Sequence, residues 1–88
     1  MKVSVDKSFV KDSDKIRDKK LLQKLTESIE QVMACKSAAD IQNLKKLQGF
    51  KNHYRIRIGD FRAGVVIKNE EVVFERLLHR KDIYKYYP

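Results

Sequence analysis

The sequence predicts an α+β fold in which an N-terminal strand and helices pack on one face of an antiparallel meander sheet. Two observations carry this expectation. Between Lys19 and Lys36 apolar residues recur at three- and four-residue spacing; after Gly49 the pattern changes to period two, and β-branched and aromatic residues dominate as far as Leu78. Helices come first and strands after, which is the order of segregated helix and sheet layers. With 88 residues, the chain is expected to form one domain, 1–88, because a chain this short cannot supply two hydrophobic cores.

Taken in order, Lys2 to Asp6 alternates around Val3 and Val5 as a short strand does, and is expected at or near a sheet edge. Ser8 is a candidate cap for a first, polar helix carrying Phe9, Val10 and Ile16 and ending near Lys15. Leu21, Leu22, Leu25, Ile29, Val32 and Met33 then draw one apolar stripe along a second helix, which is read as core. Ser37-Ala38-Ala39-Asp40 has capping-box form, so a short helical turn holding Ile41 and Leu44 is expected to follow. Tyr54, Ile56 and Ile58 alternate with Arg55 and Arg57. Gly59-Asp60 can turn this strand into Phe61, Ala63, Val65 and Ile67, and Asn69-Glu70 can turn that one into Val72, Phe74 and Leu78.

Charge narrows the function. Twenty Lys and Arg against twelve Asp and Glu leave a net charge of +8, which favours polyanionic partners: RNA, DNA, an anionic membrane surface or an acidic protein. Membrane is the weakest of the four, because no apolar run approaches spanning length and no segment clusters Trp or Phe on a lipid-facing side. Met1 to Lys11 lacks the apolar centre of a signal peptide, so a cytoplasmic location is expected. The single cysteine, Cys35, has no partner for a disulfide or a zinc site and is read as a partly buried helix residue. No metal or other cofactor is expected.

The turn at Gly59-Asp60 sets a register in which Ile58 faces Phe61, Arg57 faces Arg62 and Arg55 faces Gly64. Like charges directly opposite one another are destabilising, so the Arg57/Arg62 pair calls for an anion, and Gly64 beside Arg55 would leave room for it. Continuing through a turn at Asn69-Glu70 puts Arg62 opposite Leu77 and brings His79 onto the face of Arg57 and Arg62. A slip of one residue would send His79 to the core side, and Arg76 sits awkwardly in the unslipped register, sharing a face with Phe74 and Leu78.

These residues also carry a resemblance. Tyr54-Arg55-Ile56-Arg57-Ile58-Gly59-Asp60-Phe61-Arg62, the closing Arg76-Leu77-Leu78-His79-Arg80-Lys81-Asp82-Ile83-Tyr84, and the introductory Leu47-Gln48-Gly49 resemble the corresponding segments of RelE/ParE-type toxins. The resemblance implies a toxin–antitoxin system in which a cognate acidic antitoxin covers the basic face. In the RelE branch the toxin enters the ribosome and cuts messenger RNA, with basic residues at the positions of Arg55, Arg57, Arg62 and Arg80 and an aromatic or histidine near the C-terminus. In the ParE branch the same fold inhibits DNA gyrase without nuclease activity. A silent member that only binds antitoxin or RNA is a third possibility.

Metal-free RNA cleavage needs a base, an acid and cations at the phosphoryl oxygens. Arg57, Arg62 and Arg80 suit the last role and, being always protonated, not the first two. His79 is the candidate for moving the proton, and Tyr84 for orienting or stacking on a base. This chain has Arg55 and Arg57 where some RelE members carry lysine, so a lysine-based proton transfer at those positions is not expected. Arg55, Lys45, Lys46 and Lys81 are candidate RNA contacts. Each has a plainer reading: Arg55 and the lysines as solvated surface, and His79 as a structural histidine at the end of the last strand. His53 is read as structural or solvent-facing, and Tyr86 and Tyr87 as packing for the tail.

Overall fold

A computed structural model describes residues 1–88. The chain runs β1 (Lys2–Val5), α1 (Lys7–Asp14), α2 (Lys19–Ala34), a single 3-10 turn (Ala38–Asp40), β2 (Leu44–Lys46), β3 (His53–Ile58), β4 (Phe61–Lys68), β5 (Glu71–His79) and a short α3 (Ile83–Tyr86). The five strands form one sheet in the order β1-β5-β4-β3-β2, antiparallel throughout except for the edge strand β1, which runs parallel to β5. The expected α+β architecture and its N-terminal edge strand are both present.

α1 and α2 cover one face. Phe9 of α1 and Leu21, Leu25 and Val32 of α2 bury against Ile56, Ile58, Ala63, Val65, Val72, Phe74 and Leu77 of the sheet. Phe9 meets Phe74 edge to face at 5.4 Å, a geometry worth about 1 kcal/mol beyond the area it buries. Asp18 caps α2, its carboxylate accepting from the backbone N–H groups of Lys20 and Leu21 at 2.9 and 3.4 Å. An ion pair buried on its Asp12 side fixes α1 to β5: Asp12 accepts from Arg76 Nε at 2.7 Å and from the Leu77 N–H at 2.9 Å.

Several local expectations are corrected. The cap of α1 is Asp6, not Ser8, whose hydroxyl instead donates to the Glu75 carbonyl oxygen across the sheet at 2.6 Å. Ile16 lies beyond the end of α1, packed against the core from the loop. Met33, at the end of the apolar stripe, is 58% exposed, because the stripe runs past the sheet it covers. The helical turn expected to hold Ile41 and Leu44 stops at Asp40, with Ile41 already extended; Asn43 adopts a left-handed conformation (φ 62°), and Leu44 starts β2.

Both hairpin turns fall where the residue pairs predicted. Gly59 takes φ 58° at the first turn, and Asn69 and Glu70 take φ 52° and 63° at the second, the left-handed pair of a type I′ turn. The register of β3 with β4 matches expectation: Ile58 with Phe61, Arg57 with Arg62, Arg55 with Gly64. That of β4 with β5 does not, because a bulge between the Gly64–Arg76 and Val65–Phe74 pairs leaves Glu75 unpaired. Arg62 therefore faces Leu78, Leu77 faces Ala63 in the core, and His79 faces Phe61 on the helix side of the sheet. The bulge also resolves the awkward placing of Arg76, whose guanidinium reaches Asp12 on α1.

Glu70 has a Cβ in a conformation that costs an ordinary residue about 1–2 kcal/mol and glycine little. After glycine's greater loss of chain entropy on folding, Glu70→Gly is expected to stabilise the protein by about 1 kcal/mol, raising Tm by roughly 4–8 °C in thermal denaturation for a chain of this size.

Candidate nucleic-acid interface

The sheet face away from the helices is not fully open. α3 and the residue after it fold back across its centre, where Ile83 and Tyr87 bury against Leu47 with Leu78 at their side. Gly64 makes this possible: a Cβ there would lie 2.7 Å from three carbons of the Tyr87 ring. The space beside Arg55 therefore receives an aromatic ring, correcting the expectation that it holds an anion. The Tyr87 hydroxyl donates to Glu75 Oε1 at 2.9 Å, so the residue that the bulge leaves out of the ladder anchors the C-terminal segment. Burial, and then this hydrogen bond to a carboxylate, push the Tyr87 phenol well above its ordinary range. His53 packs beside the same ring, with centroids 5.8 Å apart.

Around this plug the basic residues gather. Lys45 of β2 faces Arg55 of β3, and Arg57 of β3 faces Arg62 of β4, giving two like-charged pairs side by side on one face. With Asn43, Leu44 and Tyr84 they line a hollow of about 340 Å³. Arg55 stacks on the exposed Tyr84 ring, its guanidinium carbon 4.3 Å from the centroid. Arg57 donates to Asn43 Oδ1 at 3.2 Å, and Arg62 donates to the carbonyl oxygens of Gly59 and Phe61 at 3.0 and 2.9 Å. These partners are neutral, and the only side-chain ion pair in the protein is Arg76 with Asp12. The guanidiniums are thus oriented without being neutralised, which suits binding of a phosphate group.

Other candidates lie elsewhere. His79 does not reach the hollow: its ring meets Phe61 edge to face at 5.5 Å, its Nδ1 accepts from the Lys81 N–H at 3.1 Å, and it lines a different depression with Ile16 and Leu21. Its convergence with Arg57 and Arg62, expected from an unbulged register, is corrected by the bulge at Glu75. Arg80 and Lys81 are exposed in the turn after β5, where the Arg80 N–H donates to the Asp60 carbonyl oxygen at 2.8 Å. Lys46 borders a neighbouring hollow with Phe50, Tyr84 and Tyr87. Asn43 was missed because its segment reads as helical in the sequence; the Asn-Leu step into a lysine pair is the only signal it leaves. No helix is long and apolar enough to cross a membrane.

The chain matches the family model described as the ParE toxin of the type II toxin–antitoxin system, parDE, over residues 3–84. It is 37% identical over 89 residues to a Methanocaldococcus jannaschii protein named Toxin RelE3, covering all of both chains. In structure it is similar to a chain of a RelB-RelE antitoxin-toxin complex from Methanococcus jannaschii, with TM-score 0.80 and 34% identity over 97% of this chain and 99% of that one. It also resembles a chain of the archaeal RelE-RelB complex from Pyrococcus horikoshii, with TM-score 0.72 and 20% identity over 90% and 93% of the two chains. That last likeness is one of fold.

The buried phenol makes the C-terminal plug sensitive to alkali. Its folded-state titration lies above that of the unfolded chain, near pH 10, so its contribution to stability is complete below that pH and is lost as pH rises above it. Urea midpoints measured from about pH 8 to about pH 11 are expected to fall more steeply in the wild type than in Tyr87→Phe, which has no phenol to ionise.

Proposed function

The chain belongs to the RelE/ParE toxins of type II toxin–antitoxin systems, and from that premise we propose that it is a ribosome-dependent endonuclease that cuts messenger RNA. The observation that carries this reading is the pair of like-charged cross-strand contacts, Lys45 with Arg55 and Arg57 with Arg62, that meet in one hollow beside an exposed tyrosine with no carboxylate to balance them. Such an arrangement is destabilising alone and becomes favourable when a phosphodiester occupies it.

In metal-free cleavage the 2′ oxygen bonds to the adjacent phosphorus and the bond from phosphorus to the next 5′ oxygen breaks. Arg57 and Arg62 hold the phosphate and meet the charge gathering on its non-bridging oxygens. Arg55 steadies the Tyr84 ring as a stacking surface for a displaced base. The 2′ hydroxyl must give up a proton and the 5′ oxygen must gain one. With His79 turned against Phe61, that role passes to Lys45 and Tyr84, which line the hollow and, unlike arginine, exchange protons. Lys46, Arg80 and Lys81 belong to the wider basic surface that contacts message or ribosome. A cognate acidic antitoxin is the partner that covers this surface, in keeping with the antitoxin-bound state of the structural relatives.

The ParE description of the matching family model favours a second reading, a protein inhibitor of DNA gyrase built on the same fold. Cell-free translation with added protein, with the 5′ ends of a reporter message mapped, separates the two. New ends inside translated codons are expected. Arg62→Ala should lower cleavage by about 10²–10³-fold, the usual loss for one donor at a developing oxyanion, while His79→Ala should leave cleavage close to wild type. An intact message together with inhibited supercoiling would replace the nuclease with the gyrase reading.

A further inference from the structure

A second hollow, of about 560 Å³, lies between α2 and the end of β3, and it shares Arg57 and Asn43 with the arginine hollow. The two therefore adjoin at these residues, near the β2 edge of the sheet. Asn43 fixes Arg57 at the threshold between them: its backbone carbonyl accepts from the Arg57 N–H at 3.1 Å and its side-chain oxygen from Nη2 at 3.2 Å. On the far side, Lys24 of α2 leans over the β3–β4 turn, with Nζ 3.7 Å from where a Cβ on Gly59 would lie. Its ammonium thus borders the hollow rather than extending away from the protein.

The remaining lining decides what fits. Lys24 and Arg57 supply two positive charges and Glu27 and Asp60 two negative ones, so the hollow is near neutral. A polyacidic peptide would meet both carboxylates and gain no net attraction. A nucleotide offers phosphate oxygens to Lys24 and Arg57, and it also offers ribose hydroxyls and exocyclic amines to Glu27 and Asp60. The Gln42 amide can serve as donor or acceptor to either. The volume lies within the usual range of about 300–1,000 Å³ for sites that enclose small ligands.

We propose that this hollow is a second subsite on the same RNA strand, holding the nucleotide that follows the pair joined by the phosphate in the arginine hollow, with Lys24 on its phosphate. The inference rests on the reading of the arginine hollow as an RNA site. Its test compares a dinucleotide, which fills the arginine hollow alone, with a hexanucleotide, which extends into the second, by fluorescence anisotropy across a range of salt. Lys24 is an exposed helix position, so Lys24→Gln leaves the fold intact. Lys24→Gln is expected to weaken the hexanucleotide about tenfold and to reduce the slope of log affinity against log salt by about 0.7, the value for one neutralised phosphate on a single strand. The dinucleotide should bind both proteins alike, and Arg62→Ala should weaken both RNAs. If Arg62→Ala weakens the hexanucleotide and Lys24→Gln does not, the second subsite is overturned while the arginine hollow stands. If neither RNA binds the wild type, the second subsite is overturned, and the arginine hollow stands or falls by the effect of Arg62→Ala on ribosome-dependent cleavage. Loss of binding to an oligoglutamate peptide, and not to RNA, in Lys24→Gln would assign the hollow to an acidic protein and overturn the proposal.

Discussion

The C-terminal segment that crosses the arginine-bearing face depends on the ring of Tyr87 resting against Gly64. A four-residue helix has no stability of its own, and α3 keeps its place because Ile83 and Tyr87 are buried at its two ends against Leu47 and Leu78. Tyr84, between them, is consequently set over Arg55. The anchor for Tyr87 is Glu75, the one residue left out of the β4–β5 ladder. Bulge, plug and stacked arginine form one line of dependence, and the side chain at Gly64 must be absent for any of it to assemble.

The same bulge marks the limit of what could be read from the sequence. Elements with strong periodicity were legible: the α2 stripe, the alternation of β3 and β4, and the turn pairs Gly59-Asp60 and Asn69-Glu70 all appear where their residues require them. The β3–β4 register was legible too, because a two-residue turn permits few pairings. The bulge was not, since Glu75 carries no local signal; the groups that bond to it and around it, the Tyr87 hydroxyl and the Asp12 carboxylate, come from elements distant in sequence. The misfit of Arg76 in an unbulged register was the one trace it left. β2 was hidden for a different reason: three residues are too few for a period to show, and the helical content of the preceding segment masked them.

For the candidate site, this division has a chemical result. Arg55, Arg57 and Arg62 sit on strands whose register is local, and they meet in one hollow. His79 lies beyond the bulge and is carried to the opposite face, against Phe61. Arg80 is held at the Asp60 turn by its backbone rather than among the other arginines. Asn43 and Lys24 were not legible, because each acts through a contact between segments that pair only in three dimensions. A cluster built by one hairpin can be foreseen from sequence; one completed by loop, helix and tail cannot.

β2 is an outer strand only three residues long, and two of the three are lysines. An unpaired strand edge is a template on which other chains can add a strand, and brevity and positive charge are the two features that prevent it. Lys45 and Lys46 therefore do more than border the hollows: their mutual repulsion between molecules opposes edge-to-edge joining of copies of this protein. Whatever neutralises those lysines removes this protection as it binds, so a lasting partner has to shield the strand as well as satisfy its charge.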